Sequence, residues 1–147
     1  MDHEPSSDQS KDMAESEDST KRYRGLIDLT VTNNSHTQMF RLLQRRRGDQ
    51  VGRVLEVGCS GGYFGEALKK VGHEVWGIEM NPDAAKEASE VLDKVYTQSI
   101  EEFFKLAEIK DERFDAIVFG DVLEHLADPG GVLELCLGFL SEDGCIL

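Results

Sequence analysis

The stretch Val54-Leu55-Glu56-Val57-Gly58-Cys59-Ser60-Gly61-Gly62, followed one helix length later by His73-Glu74-Val75-Trp76-Gly77-Ile78-Glu79, constrains this chain more than any other feature. An apolar run that breaks into glycines predicts a strand ending in a tight loop. Residues 63–71 then carry Phe64, Ala67, Leu68 and Val71 at helical spacing towards a sheet, and Gly72 closes the helix. A second strand follows and ends in an acid. In α/β sheets this order holds adenosine-bearing ligands, because glycines let the backbone approach and a carboxylate at the next strand tip accepts the ribose hydroxyls.

Two residues decide among such ligands. Glu56 sits at the tip of the first strand, where a dinucleotide fold places a doubly charged pyrophosphate, and a carboxylate there repels phosphate and attracts a cation. Ser60 occupies the second glycine position of G-x-G-x-x-G, which obstructs the closest pyrophosphate approach. Both argue against a nicotinamide dinucleotide. S-adenosylmethionine has no phosphate, carries an ammonium and a sulfonium, and keeps the ribose diol. With these residues in hand, the chain resembles the class I S-adenosylmethionine-dependent methyltransferases, whose signature is acid-x-Gly-x-Gly-x-Gly; Glu56-x-Gly58-x-Ser60-x-Gly62 matches it with one Gly-to-Ser change.

The rest of the sequence alternates strand and helix with short connections, which predicts an α/β, Rossmann-like, doubly wound and mainly parallel sheet with helices on both faces. Asn81-Pro82-Asp83 opens a helix with Ala84, Ala85, Ala88, Val91 and Leu92 as its buried stripe. Residues 94–97 form a third strand, 101–107 a short helix and 114–119 a fourth strand. Asp128-Pro129 caps a helix expected to run through Leu140, and Ser141-Glu142-Asp143-Gly144 is expected to turn into a last strand at residues 145–147.

Charge divides the chain. Residues 1–20 carry seven acids and one base and are rich in Ser, Asp and Glu, so they cannot bury enough apolar surface to order and are expected to form a disordered acidic tail. Residues 21–50 carry seven bases and two acids, and residues 51–147 eight bases and twenty acids. So acidic a body argues against a nucleic-acid partner. Arg45-Arg46-Arg47 could touch an anionic substrate, or simply meet the dipole at a helix end. Cys59, Cys136 and Cys145 show no C-x-x-C spacing, so reduced thiols are expected rather than a disulfide framework or zinc site. No apolar run approaches the roughly 20 residues that span a bilayer, and the first residues lack both parts of a signal peptide; a cytoplasmic protein is expected.

Residues 21–50 read as a segment ending in a helix, with Met39, Phe40, Leu42 and Leu43 on its apolar face and Asn33-Asn34-Ser35-His36 as its cap. The resemblance implies that this helix lies over the cofactor, so that His36 could approach the active site; His36 equally suits a plain polar place in a first turn. The resemblance also implies that Glu79 binds the ribose, with Met80 beside it, and that Glu56 takes the methionyl ammonium. Gly58, Ser60, Gly61 and Gly62 would then give room. Ser99 and Ile100 match the positions that meet adenine, Ser99 replacing an acid, though the pair also fits an ordinary strand-to-helix turn. Gly120 and Asp121 would stand by the methionine part.

Residues 121–129, Asp-Val-Leu-Glu-His-Leu-Ala-Asp-Pro, resemble the D-V-L-E-H-L-x-D-P signature of many small-molecule methyltransferases. His125 is the candidate general base for a hydroxyl acceptor. In quinone-precursor and small-RNA 3′-end methyltransferases a similar acid-x-x-Glu-His binds a divalent cation, which offers Asp121, Glu124 and His125 as an alternative ligand set. The implied function is methyl transfer to a small-molecule acceptor; a non-catalytic S-adenosylmethionine-binding module and, less favoured, an NAD-dependent oxidoreductase are the alternatives. The resemblance covers residues 21–147. In that family two more strands and a helix follow the fifth strand and build much of the acceptor pocket, so residues 51–147 are expected to be the cofactor-binding part of a longer domain.

Overall fold

The computed structural model describes residues 29–147, so the expected acidic tail over residues 1–20, and the start of the segment 21–50, lie outside the described residues. Strands β1 (Arg53–Val57), β2 (Glu74–Ile78), β3 (Lys94–Tyr96), β4 (Phe114–Phe119) and β5 (Leu140–Ile146) form one sheet in the order β3-β2-β1-β4-β5. Each neighbouring pair is parallel. The order reverses between β1 and β4, which makes the α/β fold Rossmann-like and doubly wound and opens a crevice at the carboxyl ends of those strands.

Helices α1 (Ser35–Arg47), α2 (Tyr63–Lys70), α3 (Pro82–Ser89), α4 (Ile100–Phe103) and α5 (Pro129–Leu137) complete the fold. They cover two apolar layers, one on each face of the sheet. Leu55, Val57, Trp76, Ile78 and Ile117 point into one, where Trp76 meets Phe114 edge-on at 5.4 Å. Val54, Val75, Ala116 and Val118 point into the other, against Leu43 of α1, Phe64 and Leu68 of α2, and Ala88 of α3. The two-residue period of a strand explains this division, and it also sends Glu56 to the α2 face.

Helix starts follow local chemistry. Asn34 Oδ1 accepts the Thr37 N–H at 2.7 Å, and Asn81 Oδ1 accepts those of Asp83 and Ala84. Asp128 receives the Gly131 N–H at 2.9 Å. Ser99 forms a capping box with Glu102, which starts α4 at Ile100, one residue before the expected place. That helix stops at Phe103, and a separate 3-10 turn follows at Ala107–Ile109, because Leu106 between them is extended.

Three other expectations are corrected. Helix α5 ends at Leu137, not Leu140, since Phe139 N–H folds back to the Cys136 carbonyl and Leu140 already pairs with Phe114. Residues 141–144, expected as a turn, form a bulge inside β5: Phe114 faces Leu140, but Ala116 faces Cys145. Val71, expected against the sheet, is the C-cap of α2 and 44% exposed.

Helix α1 spans from one end of the sheet to the other. At the amino ends of the strands Arg47 pairs with Asp115 at 3.4 Å, and Asp115 also accepts the Arg53 N–H at 2.8 Å and the Ser141 hydroxyl at 3.0 Å. Of the three-arginine run, Arg45 and Arg46 are exposed while Arg47 is held in this cluster. His73 is buried beside it, its Nδ1 receiving the Gly52 N–H at 3.2 Å. At the other end, the first turn of α1 reaches the carboxyl ends of β1 and β4.

Candidate functional site

Every second residue of the loop after β1 adopts a left-handed backbone: Gly58 (φ 73°), Ser60 (φ 48°) and Gly62 (φ 82°). Glycine accepts that conformation freely; serine does so at some cost. The loop is held from β2. Gly58 and Cys59 N–H both donate to the Ile78 carbonyl, at 2.8 and 3.0 Å, and Ser60 N–H donates to Glu79 Oε2 at 2.9 Å. Glu79 Oε1 accepts the Asn81 N–H at 2.8 Å, so this carboxylate ties the glycine loop to the start of α3. A side chain at Gly58 would strike Val122.

Next to this loop lies a cavity of about 250 Å³, lined by His36, Glu56, Gly58, Cys59, Ser60, Tyr63, Phe64, Gly120 and Asp121. It occupies the crevice that the strand order creates between β1 and β4. Glu56 forms part of the lining although only 5% of it is exposed, and its Oε2 has no hydrogen-bond partner. Burial pushes its carboxyl up to about 8, with the Glu79 charge acting the same way and the Gly65 N–H acting against it. Gly65 leaves the space this carboxylate occupies: a Cβ there would stand 2.8 Å from Glu56 Oε2. A buried carboxyl with one oxygen unsatisfied, facing a cavity, is a seat for a cation or a hydrogen-bond donor.

His36 comes over the cavity from α1. Its ring packs 5.5 Å from that of Phe64, and a Cβ at Gly120 would lie 3.4 Å from its Nε2. Burial lowers its pKa from the ordinary histidine value, and the Asp121 charge partly opposes that. Asp121 itself has φ 56°, a left-handed conformation at the tip of β4. Two non-glycine residues in that region, Ser60 and Asp121, thus border one cavity.

The cavity gathers Glu56, Gly58, Ser60, Gly120 and Asp121 of the candidate residues, and His36 with them. Gly61 and Gly62 stand in the adjoining loop, and Glu79 supports that loop from behind. The others are placed elsewhere. Met80 is 71% exposed. Ser99 caps α4 and Ile100 lies in the apolar layer on the other face. His125 ends an exposed 3-10 turn, Leu123–His125, and does not line the cavity. Among the described residues no three His, Cys, Asp or Glu side chains are gathered to hold a metal ion, so Asp121, Glu124 and His125 do not fit that role as placed.

Three lining residues were not singled out by sequence as site residues: Cys59, Tyr63 and Phe64. Cys59 buries its sulfur against Gly77, where a Cβ would come within 2.5 Å, and burial pushes its thiol upward, away from a reactive thiolate. Tyr63 donates to Glu87 Oε2 at 3.0 Å. Its ring fills the space over Gly61, where a Cβ would lie 2.6 Å from it, so the extra glycine was the available signal.

A family model described as a methyltransferase domain matches residues 32–147. The chain belongs to this methyltransferase domain family. Among the relatives of this methyltransferase domain, the ubiquinone biosynthesis O-methyltransferase of Glaesserella parasuis is 38% identical over 101 residues, covering 64% of this chain and 43% of that protein. The enzyme of the same name from Histophilus somni is 34% identical over 119 residues, covering 75% and 49%. Among solved structures, a SAM-dependent methyltransferase from Archaeoglobus fulgidus superposes with a TM-score of 0.64 at 26% identity, over 76% of this chain and 49% of that one. A TehB-like SAM-dependent methyltransferase from Corynebacterium glutamicum does so with 0.63 at 25% identity, over 90% and 72%. The chain spans about half the length of the curated relatives it matches. Among the described residues no helix is long and apolar enough to cross a membrane.

Proposed function

We propose that this methyltransferase domain binds S-adenosylmethionine and acts in methyl transfer to an oxygen of a small-molecule acceptor. When bound, the cofactor supplies a methyl group already activated on a sulfonium. The observation that carries the reading is the Glu56 carboxyl: buried, facing the cavity, and with an unsatisfied oxygen where a ligand ammonium would complete it. A phosphate supplies no hydrogen-bond donor to that oxygen, whereas an ammonium does, which disfavours a dinucleotide. Glu79 offers further support, since each oxygen accepts one backbone N–H and retains a lone pair for a ribose hydroxyl. The similarity to ubiquinone biosynthesis O-methyltransferases favours an oxygen nucleophile.

In this reading Glu56 holds the methionyl ammonium, Gly58, Ser60, Gly61 and Gly62 let the ligand lie against the loop, and Gly120 and Asp121 flank its methionine end. Ser99, at the cap of α4, and the backbone N–H of Ile100 meet the adenine, while the Ile100 side chain stays in the apolar layer; Met80 stands beside the ribose. The base this reading offers for the acceptor hydroxyl is His125, which stands outside the cavity on its exposed 3-10 turn; the rest of the chain's contribution is orientation and exclusion of water.

Calorimetric titration tests this with S-adenosylhomocysteine and, separately, NADH. We expect saturable binding of the first alone, weakened by about 1.5–3 kcal/mol in Glu79→Ala through loss of charge-assisted hydrogen bonds. Binding of NADH instead would overturn the assignment. Binding of S-adenosylhomocysteine with no methyl transfer to any hydroxyl acceptor would favour a non-catalytic binding module.

A further inference from the structure

At the amino end of the sheet, opposite the cavity, one carboxylate fastens three other elements. Asp115 of β4 pairs with Arg47 from the last turn of α1, accepts the Arg53 N–H at the start of β1 and receives the Ser141 hydroxyl from β5. Gly52 is packed directly against this pair. A Cβ there would strike the Asp115 carboxylate and stand 2.9 Å from Arg47 Nη2. Any shift of the Gly52 backbone is therefore felt by the ion pair that holds α1.

That backbone is governed in turn by His73, a buried histidine far from the cavity chemistry. Its Nδ1 faces both polar groups of Gly52, the N–H at 3.2 Å and the carbonyl at 3.3 Å. A neutral imidazole with its proton on Nε2 accepts the N–H. An imidazolium has no lone pair, so it donates to the carbonyl and leaves the N–H without its acceptor. Among the described residues the charges that face the ring are Arg47 from α1, Asp115 from β4 and Asp49 from the loop between α1 and β1. Lys69 and Lys70 of α2 are engaged by Asp93 and Glu66, and Glu74 of β2 by Arg53 and the Trp76 indole N–H. Burial holds the imidazole below the ordinary histidine pKa; the Arg47 charge acts the same way, and the Gly52 contact and Asp115 act against it. A cavity of about 300 Å³, lined by Gln44, Asp49 and Val51 among others, adjoins His73 and gives water a route to the ring.

We infer that His73 is a proton-operated latch on α1: neutral, it holds Gly52 and with it the Arg47–Asp115 pair, and protonated, it releases the last turn of the helix from the sheet. The charge it gains also repels Arg47 and competes for Asp115, so both consequences of protonation loosen the same contact. The other end of α1, about 20 Å away along a 13-residue helix, carries His36 over the cavity. Release at one end loosens the cover at the other. His73 is thus a positioning residue acting through Gly52. Only the last step, that a loosened cover speeds ligand release, rests on the cofactor reading above.

The test follows amide hydrogen exchange in the full chain without ligand, with rates corrected for the intrinsic effect of pH. Protection in the last turn of α1, residues 44–47, should fall about tenfold between pH 7 and pH 5.5, the limit for one proton taken up by a released histidine of ordinary pKa, while β4 keeps its protection. His73→Gln accepts the Gly52 N–H through its side-chain oxygen and gains no charge, so its last turn should stay protected at both pH values. His36→Gln removes the other histidine of the helix and should leave the last-turn response in place. A wild-type last turn indifferent to pH, or a response that survives in His73→Gln, would overturn the latch. So would an equal loss over β4, which marks acid unfolding of the whole fold. If His73→Gln does not fold, NMR titration of the wild type decides: different midpoints for the His73 ring and the last-turn amides would overturn the proposal. Dissociation of S-adenosylhomocysteine should be severalfold faster at pH 5.5 than at pH 7, and by a smaller factor in His73→Gln. Equal factors in the two proteins would overturn the link from latch to cavity. Absence of any S-adenosylhomocysteine binding would instead overturn the cofactor reading and leave the latch to the exchange data, which decide it alone.

Discussion

At the scale of single residues, Glu56 links ligand binding to protons. In the empty protein burial holds its carboxyl near pH 8, so at pH 7 it is mostly protonated; an ammonium seated beside it favours the ionised form. Binding at pH 7 should therefore expel a proton from Glu56. Other groups can exchange protons on binding too, so the informative quantity is a difference. Calorimetry in buffers of different ionisation enthalpy should show the wild type releasing about one proton more than Glu56→Gln on binding S-adenosylhomocysteine. Identical counts would mean that Glu56 does not meet the ammonium. The identity of this residue was legible in the sequence, because an acid two places before the first glycine has a fixed address at a strand tip. Its orphaned oxygen was not, because that depends on Gly65, a residue that is neighbour to Glu56 only once α2 folds back on the sheet.

At the scale of elements, two helical glycines make opposite demands. In the interior of a helix Ala is favoured over Gly by about 1 kcal/mol. Gly130 follows that rule: near the start of α5 a Cβ would meet only Asp128 Oδ1, at an ordinary 3.7 Å. Gly65 in α2 does not, since a Cβ would come 2.5 Å from Leu92 Cδ2 and 2.8 Å from Glu56 Oε2. Thermal unfolding should show Gly130→Ala stabilised by about 0.5–1 kcal/mol and Gly65→Ala destabilised by about 1–3 kcal/mol, the usual range for overpacking. Gly65→Ala should also weaken S-adenosylhomocysteine binding, because the carboxylate must move. Stabilisation by both substitutions would show that helix propensity outweighs the packing of α2. The sequence announced three helix starts, because Asn34, Asn81 and Asp128 act on backbone groups two or three residues away, whereas the Ser99 capping box starts α4 one residue before the expected place. It announced the ends less well. Helix α5 stops at Leu137 because Leu140 pairs with Phe114, a contact 26 residues distant that no local pattern records.

At the scale of the whole molecule, the two ends of α1 sit on titratable groups, and together with Glu56 they set how stability depends on pH. His73, near Arg47 at one end, and His36 at the other are both held below the ordinary histidine value, chiefly by burial. A histidine kept neutral in the fold contributes stability above its unfolded pKa of about 6.5 and loses it as pH falls below that. Glu56 behaves oppositely. Its folded pKa, about 8, lies above the unfolded 4.5, so its contribution is complete in acid and is lost as pH rises through that interval. Between pH 6.5 and 8 only the Glu56 limb of these three remains, and one group titrating across it costs at most about 2 kcal/mol. The empty protein should thus melt at progressively lower temperature from pH 6.5 to 8.5, while Glu56→Gln should be nearly flat over the same range. Saturating S-adenosylhomocysteine should flatten the wild-type curve as well, since the ligand's ammonium supplies the partner that the buried carboxylate lacks. A slope unchanged by the substitution would place the titrating group elsewhere; a slope abolished by the substitution but not by the ligand would mean that the ammonium sits away from Glu56, in a different part of the same cavity.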